Sequence, residues 1–218
     1  DGYYPADVFM SEKEMDDWRP ADNKFSFNSA YDEIAVGISD DGTQLYMYID
    51  NYVDKIEGDI FLSEITDKGK WPRASELGEN VNSKDKEISC SVSNDGSILF
   101  FTSDRSGGQG GMDLYMTRQL PGDLGWGPAQ PVGTNINTSG DEDFPTLSFD
   151  GKTLYFTSKG LPGMGGYDIY KTTWNGEQNV WSEPENLGYP INGPEDNKVI
   201  SFTEDGLHAY ASMCPVDS

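Results

Sequence analysis

Apolar and polar residues alternate in short runs along this chain, and the runs come in pairs that flank an Asp-Gly dipeptide. Residues 98–103 and 153–158 are two such runs, each shortly after an Asp-Gly pair and rich in aromatic and β-branched side chains. Alternation with a period of two predicts β-strands, and Asp-Gly favours the positive φ angles of a tight turn. The pattern therefore predicts a series of β-hairpins.

The hairpins recur at an almost constant interval. The Asp-Gly pairs are Asp41-Gly42, Asp95-Gly96, Asp150-Gly151 and Asp205-Gly206, and the spacing between successive pairs varies by no more than a single position. A constant period indicates a tandem repeat in which each copy is one supersecondary unit.

Two further elements complete the repeat. A third β-rich run begins with an aspartate at a fixed distance after each of the first three turn glycines, and an earlier copy opens near the start of the chain. These aspartates are Asp7, Asp59, Asp113 and Asp168. A tryptophan marks the fourth segment, at Trp18, Trp71, Trp126 and Trp181.

Four short antiparallel strands repeated in this way predict an all-β fold, a β-propeller with four-stranded blades, in which neighbouring blades bury each other's faces. Residues 1–218 are expected to form a single domain of four blade equivalents. The chain begins at a third strand and ends after a second strand, so each end falls within a blade. Two alternatives follow: the ends meet in a closed four-bladed ring, or the chain is part of a longer propeller.

Composition narrows the range of partners. The chain has 38 acidic and 15 basic residues and a net charge of −23. This balance argues against nucleic acid and against an anionic membrane surface, which both need clustered Lys and Arg. No apolar stretch approaches the ~18 residues of a membrane span. The acidity is explained by a solvated surface, by carboxylates that bind Ca²⁺, or by a cationic protein partner.

The connections between blades hold the most suggestive constellation of polar residues. At the same distance before each turn aspartate stand Glu33, Glu87, Glu142 and Asn197, flanked in the later copies by Asp141 and Asp196. This position begins the innermost strand, near one mouth of the central channel, so three carboxylates and an amide are candidates for a Ca²⁺ site. The alternative is that each glutamate caps its own blade or pairs with a neighbour.

The other repeated residues favour structural roles. We expect each third-strand aspartate to accept hydrogen bonds from the backbone of the glycine-rich loop before it. We expect each tryptophan to cover a seam between blades, the alternative being a platform for carbohydrate. Of the two cysteines, Cys90 is expected to be a small buried side chain, and a disulfide with Cys214 is not expected.

The glycine-rich loops carry exposed apolar candidates for contact with a protein partner, namely Tyr52, Leu161 and Met164. Loops on a rigid scaffold are common sites of recognition. These loops lack the following helix and the lysine of a phosphate-binding loop, so nucleotide binding is not expected. His208 is the only histidine, and no serine elbow or metal-type His/Cys cluster accompanies it.

Residues 148–170 carry a longer motif, Ser-Phe-Asp-Gly-Lys-Thr-Leu-Tyr-Phe-Thr-Ser followed by Gly-Gly-Tyr-Asp-Ile-Tyr. This motif resembles the WD40-like propeller repeat of the TolB type, and residues 93–115 match it closely. The segments that begin at Val132 and Leu187 resemble the variant in envelope proteins of Bacteroidota, which include OmpA-family and type IX secretion proteins. That family usually builds six blades.

The resemblance implies a non-catalytic interaction module of the cell envelope, periplasmic or associated with the outer membrane, that binds a protein through loops at the channel mouth. A glycan- or Ca²⁺-binding propeller is the alternative. A polysaccharide-active enzyme is the least favoured hypothesis, because paired carboxylates are too abundant in this chain to single out an acid pair.

Overall fold

A computed structural model describes residues 5–15, 17–51, 56–122, 124–203 and 207–213. These residues contain strands, turns and loops, and no helix. Three complete blades occupy the middle of the chain, and a partial blade lies at each end of the described segment.

Each complete blade is an antiparallel sheet in which consecutive strands are neighbours. The first blade consists of β3 (Asp32–Ile38), β4 (Gln44–Asn51), β5 (Ile56–Glu64) and β6 (Ser75–Glu76), after the short hairpin of β1 (Lys13–Glu14) and β2 (Asp17–Trp18). The second blade consists of β7 (Glu87–Val92), β8 (Ile98–Ser103), β9 (Asp113–Arg118) and β10 (Gln130–Pro131).

The third blade repeats this order with one addition. It consists of β11 (Glu142–Leu147), β12 (Thr153–Ser158), β13 (Asp168–Asn175), β14 (Val180–Trp181) and β15 (Glu185–Asn186). Strand β14 pairs with the end of β13 and β15 pairs with its beginning, so β13 carries an extra hairpin beyond the four-stranded pattern. The last hairpin consists of β16 (Asn197–Phe202) and β17 (Ala209–Met213).

The first strands of successive blades contact one another, which places β3, β7, β11 and β16 on the inner side of the arc. This arrangement is that of a β-propeller and confirms the fold expected from the repeat. In the complete blades the tryptophan lies shortly before the outer strand and not within it. In the second blade, for example, Trp126 precedes the strand that begins at Gln130.

The hydrophobic core lies in the seams between blades. Side chains of a strand alternate between its two faces, so each middle strand serves two seams. Leu99 and Phe101 pack toward the first blade with Tyr46 and Ile60, whereas Phe100 packs toward the third blade. Neither face of the second blade is free, which explains why β8 is buried along almost its whole length.

A third cluster joins the segment before β3 to the first blade. It contains Val8, Phe27 and Met47, which are all buried. The first blade therefore also has a packed neighbour on each side.

The Asp-Gly turns are built alike. Asp95 Oδ1 accepts hydrogen bonds from the Ser93 hydroxyl (2.7 Å) and from the Ser97 amide (3.0 Å), and Gly96 adopts a positive φ of 70°. These hydrogen bonds hold the pKa of the Asp95 carboxyl at about 2, below its ordinary value. The turns at Asp41 and Asp150 make the equivalent contacts. The turn at residues 205–206 lies outside the described residues.

A buried asparagine joins the connection between blades to the preceding third strand. The Leu114 amide donates to Asn137 Oδ1 (2.9 Å), and Asn137 Nδ2 donates to the Leu114 carbonyl (3.0 Å). The same two-bond contact, called here the asparagine clasp, recurs along the chain. Its other members are Asn28 with Val8, Asn82 with Ile60, and Asn192 with Ile169.

The described residues form an open arc. Strand β17 pairs with β16, and no strand pairing among the described residues joins it to the segment around Met10, which pairs with Asp22. Tyr210 on β17 is 65 % exposed. The described residues thus include no strand pairing that closes a four-bladed ring.

We expect Asn137→Ala to destabilise the fold by ~1–3 kcal/mol, because the buried N–H of Leu114 would lose its only acceptor, whereas the Leu114 carbonyl keeps its hydrogen bond from the Val132 amide (3.0 Å). Urea unfolding measures this difference in free energy. The control is Asn94→Ala at an exposed turn position, for which a change within ~0.5 kcal/mol is expected. Equal stabilities of the two variants would contradict a structural role for the clasp.

Candidate functional site

The blades present two faces with different contents. The loop face carries the glycine-rich loops before each third strand and the connections from one blade to the next. The turn face carries the Asp-Gly turns and the connections from each third strand to the outer strand. The sequence-predicted site residues that the structure describes belong to the loop face.

The third-strand aspartates hold the glycine-rich loops in place. Asp113 Oδ2 accepts hydrogen bonds from the backbone amides of Gln109 (2.7 Å) and Gly110 (3.2 Å). Asp168 makes the same kind of contact with the loop of the third blade. The expected contact of these aspartates with the loop backbone is thus confirmed in the second and third blades. A Cβ atom on Gly108 would overlap the Asp113 carboxylate, which explains the need for glycine there.

Each inner-strand glutamate is held within its own connection. Glu142 accepts hydrogen bonds from the amide and hydroxyl of Thr138 (both 2.7 Å) and from the Ser158 hydroxyl (2.6 Å). Glu33 accepts equivalent bonds from the amide and hydroxyl of Ser29. Glu33 and Glu142 are 1 % and 0 % exposed, so their carboxylates act as internal acceptors.

Glu87 has an additional cationic partner. It accepts hydrogen bonds from the amide (2.8 Å) and hydroxyl (2.9 Å) of Ser83, and its Oε1 lies 3.0 Å from Nη2 of Arg105. The guanidinium of Arg105 lies 4.9 Å and 5.0 Å from the ring centres of Phe101 and Tyr115. This buried ion pair is part of the packing of the second blade.

These contacts bear on the hypothesis of a metal site. Among the described residues, no group of three or more His, Cys, Asp or Glu side chains is placed to hold a metal ion. Hydrogen bonds within each connection orient the carboxylates of Glu33, Glu87 and Glu142. The alternative, in which each glutamate caps its own blade, describes the structure.

Two of the glutamates lie near the third-strand aspartate of the preceding blade. Burial raises the pKa of Glu142, and the nearby Asp113 carboxylate contributes to the rise. Burial likewise raises the pKa of Glu33, with a further contribution from Asp7. The seams thus keep pairs of acidic side chains close together, at an electrostatic cost that the surrounding hydroxyl and amide donors offset.

The flanking polar residues bridge neighbouring blades. Asp141 accepts a hydrogen bond from the Met112 amide (3.2 Å), and Asp196 accepts one from the Tyr167 amide (3.1 Å). Each also has a lysine partner: Lys159 lies 3.0 Å from Asp141, and Lys198 lies 3.4 Å from Asp196.

Asn197 takes the place of the glutamate in the last hairpin. Its Oδ1 accepts a hydrogen bond from the Gly193 amide (2.9 Å). An amide therefore fulfils the capping role at this position, as a carboxylate does in the other blades.

The apolar loop residues separate into different environments. Met164 is 51 % exposed at the tip of its loop and is available to a partner. Leu161 packs against the core cluster of the second and third blades, and its carbonyl accepts a hydrogen bond from the Tyr170 hydroxyl (3.1 Å). Leu161 is therefore only partly accessible. Tyr52 lies outside the described residues.

The tryptophans divide in a similar way. Trp126 and Trp181 belong to the seam clusters, as expected, and Trp71 packs against the cluster of the first blade. Trp18 differs, because it is 63 % exposed on the short β1–β2 hairpin. Cys90 is buried in the first seam, which confirms its expected packing role.

The asparagine clasps are the main feature that the sequence analysis missed. Asn82, Asn137 and Asn192 recur with the period of the repeat. A polar side chain that recurs in this way is a signal for a backbone contact. The partner on the third strand, however, becomes visible only in the structure.

The fold resembles known propellers among the solved structures. TolB from Acinetobacter baumannii has a TM-score of 0.54 and 14 % identity, over 88 % of this chain and 40 % of that chain. A putative TolB from Agrobacterium tumefaciens has a TM-score of 0.54 and 20 % identity, over 84 % of this chain and 59 % of that chain. A puromycin-hydrolyzing peptidase from Mycobacterium tuberculosis has a TM-score of 0.54 and 17 % identity, over 94 % of this chain and 35 % of that chain.

At such low identity these likenesses show the fold alone: the chain is a β-propeller, and two of the similar structures are TolB proteins. It spans 40 % and 59 % of the length of the two TolB structures. No protein-family profile matches the chain, and no curated protein sequence matches it. The described residues include no helix with the length and apolar character needed to cross a membrane.

The environment of Asp59 generates a prediction about pH. Burial, followed by the nearby Glu87 and Glu76 carboxylates, raises the pKa of Asp59 from 3.8 to about 6. Between these pH values the folded protein binds more protons at Asp59 than the unfolded chain does, so this group lowers stability as pH rises. We expect Asp59→Asn to be more stable than the native protein at pH 7 and to lose this slope. The gain should be on the order of 1–2 kcal/mol, after allowance for solvent screening at a partly exposed site.

Urea unfolding between pH 4 and 8 measures this effect, with the exposed Asp67→Asn as the matched control. If the Asp59 and Asp67 variants follow the native protein in parallel over the whole range, Asp59 does not carry the electrostatic cost assigned to it.

The capping role of Glu142 generates a second prediction. Glu142→Ala leaves three donors without an acceptor, and we expect a loss of ~2–4 kcal/mol. Glu142→Gln keeps one acceptor oxygen and should lose ~1 kcal/mol, since Asn197 serves at the same position of the last hairpin. Thermal unfolding with and without millimolar CaCl₂ distinguishes this role from metal binding. A rise in Tm with Ca²⁺ that is lost in Glu142→Gln would contradict it.

Proposed function

We propose that this propeller is a non-catalytic protein-binding module of the bacterial cell envelope, periplasmic or associated with the outer membrane, and that its loop face contacts the partner. The TolB-like fold and the motif of residues 148–170 support the location and the class of function. The observation that carries the proposal is the rigid attachment of the exposed glycine-rich loops.

The loops are held at several points. Besides the aspartate contacts, the Gly111 amide donates to the Gly140 carbonyl (3.2 Å), which fastens the loop of the second blade to the connection that follows it. Nζ of Lys159 lies 4.3 Å from the ring centre of Tyr167, which links the loop of the third blade to the ion pair of Asp141. A surface that is already ordered loses little conformational entropy on binding, which favours recognition.

The charge of this face suggests the chemistry of the partner. Asp104, at the start of one glycine-rich loop, is exposed, and Asp141 and Asp196 are partly accessible beside the others, each in an ion pair with a lysine. With a net charge of −23, the protein attracts a partner that presents Lys and Arg. Met164 supplies an exposed apolar contact among these charges.

The repeated carboxylates support a non-catalytic role. Glu33, Glu87 and Glu142 are buried and accept hydrogen bonds from serine or threonine, so a substrate has no access to them. His208 is exposed on the last hairpin. The inner-strand glutamates thus serve the scaffold.

Site-specific photocrosslinking tests this proposal in envelope extracts of the source bacterium. A photoreactive residue at position 164 should capture a defined partner, whereas the same residue at position 15, where Met15 is 91 % exposed on the β1–β2 hairpin, should not. We expect Met164→Glu to reduce recovery of the partner about tenfold, a loss of ~1.4 kcal/mol, and recovery to fall as salt rises.

The matched control for this experiment is Met15→Glu, which should leave recovery unchanged. Equal capture from both positions, or full recovery with Met164→Glu, would count against the loop face as the binding surface.

A further inference from the structure

The turn face holds a cleft between the second and third blades, on the opposite side of the propeller from the loop face. Its volume is about 640 Å³, and its walls include Arg118 and Gln130 from the second blade and Phe149, Trp174 and Trp181 from the third. Small-molecule sites typically fall between ~300 and ~1,000 Å³ and combine aromatic walls with a few polar groups. The cleft has the size and composition of such a site.

The aromatic walls are not a requirement of the repeat. Phe149 directly precedes the turn Asp150, and the same position in the second blade, before Asp95, is Asn94. Trp174 lies one position beyond the pairing of β12 with β13, and the same position beyond the pairing of β8 with β9 is Gln119. The second blade therefore folds with polar residues at both positions, so the repeat itself does not require the two aromatic side chains, although Trp174 also packs against the cluster of this seam.

The cationic wall is likewise specific to this seam. Arg118 lies opposite Ile98 at the end of its strand pairing. The equivalent residues are Glu64, opposite Gln44 in the first blade, and Thr173, opposite Thr153 in the third. Among the described residues, no carboxylate forms an ion pair with Arg118. In a chain with a net charge of −23, this arginine is available to a ligand in the cleft.

The aromatic rings form a continuous wall. The rings of Trp174 and Trp181 lie 5.2 Å apart at an interplanar angle of 61°, and Trp181 packs edge-on against Phe100 at 5.9 Å. Phe149 is 44 % exposed on the neighbouring turn. The indole N–H of Trp181 is buried and has no hydrogen-bond partner among the described residues.

The charges of the cleft disfavour several classes of ligand. Asp95 and Asp150 line it and oppose an anion such as a nucleotide, while Arg118 opposes a cation. A wholly apolar ligand would remove Arg118 and Gln130 from water without replacing their hydrogen bonds. What suits all of these groups is a neutral molecule with an apolar face and a rim of hydroxyl groups that both donate and accept hydrogen bonds.

We propose that this cleft binds a neutral saccharide of one or two pyranose rings. The C–H face of a ring stacks on Trp174 and Phe149. Its hydroxyl groups donate to Asp95 or Asp150 and accept from Arg118 and Gln130. This site does not depend on the protein partner at the loop face, because the two lie on opposite faces of the propeller.

The test uses variants in which the cleft residues are replaced by their counterparts from the second blade, Trp174→Gln and Phe149→Asn. Because the repeat accommodates these residues, the variants should fold, which unfolding midpoints verify. The probes are cellobiose, maltose, N,N′-diacetylchitobiose and mannobiose, with digalacturonate as an anionic comparison. Binding is measured by saturation-transfer NMR and by tryptophan fluorescence.

We expect at least one neutral disaccharide to bind, and Trp174→Gln and Phe149→Asn each to weaken its Kd about tenfold. Trp18→Gln is the matched control, since Trp18 is an exposed tryptophan away from the cleft, and it should leave Kd unchanged. Absence of binding by every neutral probe at millimolar concentrations overturns the proposal. So does tighter binding of digalacturonate, or a Kd that is the same in both cleft variants as in the native protein.

Discussion

Backbone groups buried between the blades must find hydrogen-bond partners, and the asparagine clasp is how this chain provides them. The residue after each third-strand aspartate lies in a seam, so its N–H and C=O are shielded from water. Asn82, Asn137 and Asn192 satisfy both groups with one amide. Without a hydrogen-bond partner, each buried group would lower the stability of the fold by ~1–3 kcal/mol. The clasp also attaches each connection to the third strand of the preceding blade. Because the next inner strand directly follows this connection in the chain, the clasp helps to position that strand.

The remaining polar network extends from the clasp. The residue after Asn137 is Thr138, which donates to Glu142, and Glu142 begins the next inner strand beside Met112. Asp113 then orders the glycine-rich loop above this junction. Acidic residues that resemble a ligand site in the sequence are thus parts of a joint between blades. These joints order the loop face. The turn face takes no part in them, and its residues differ from blade to blade, as Phe149 and its counterpart Asn94 show.

Much of the fold follows from the sequence, because hairpins and loop contacts depend on residues close together along the chain. The Asp-Gly turns and the role of Asp113 are of this kind. The spacing of Glu142 places it near the channel mouth but does not reveal its acceptor role toward Thr138, so the sequence alone does not distinguish a capping residue from a metal ligand. The cleft was missed for a different reason: a search for what recurs passes over positions that differ, such as Trp174. The sequence does contain a signal for the cleft: a bulky aromatic residue stands at a position where another copy of the repeat has a polar residue.

Native-state hydrogen exchange of the clasped amides tests the central claim most directly. The amides of Ile60, Leu114 and Ile169 donate to clasp asparagines in successive blades. If the clasps hold the seams together, these amides exchange only through global unfolding, with the same free energy as the amides of the middle strands. Exchange of the three amides through local opening, with free energies well below the global value, would contradict the account.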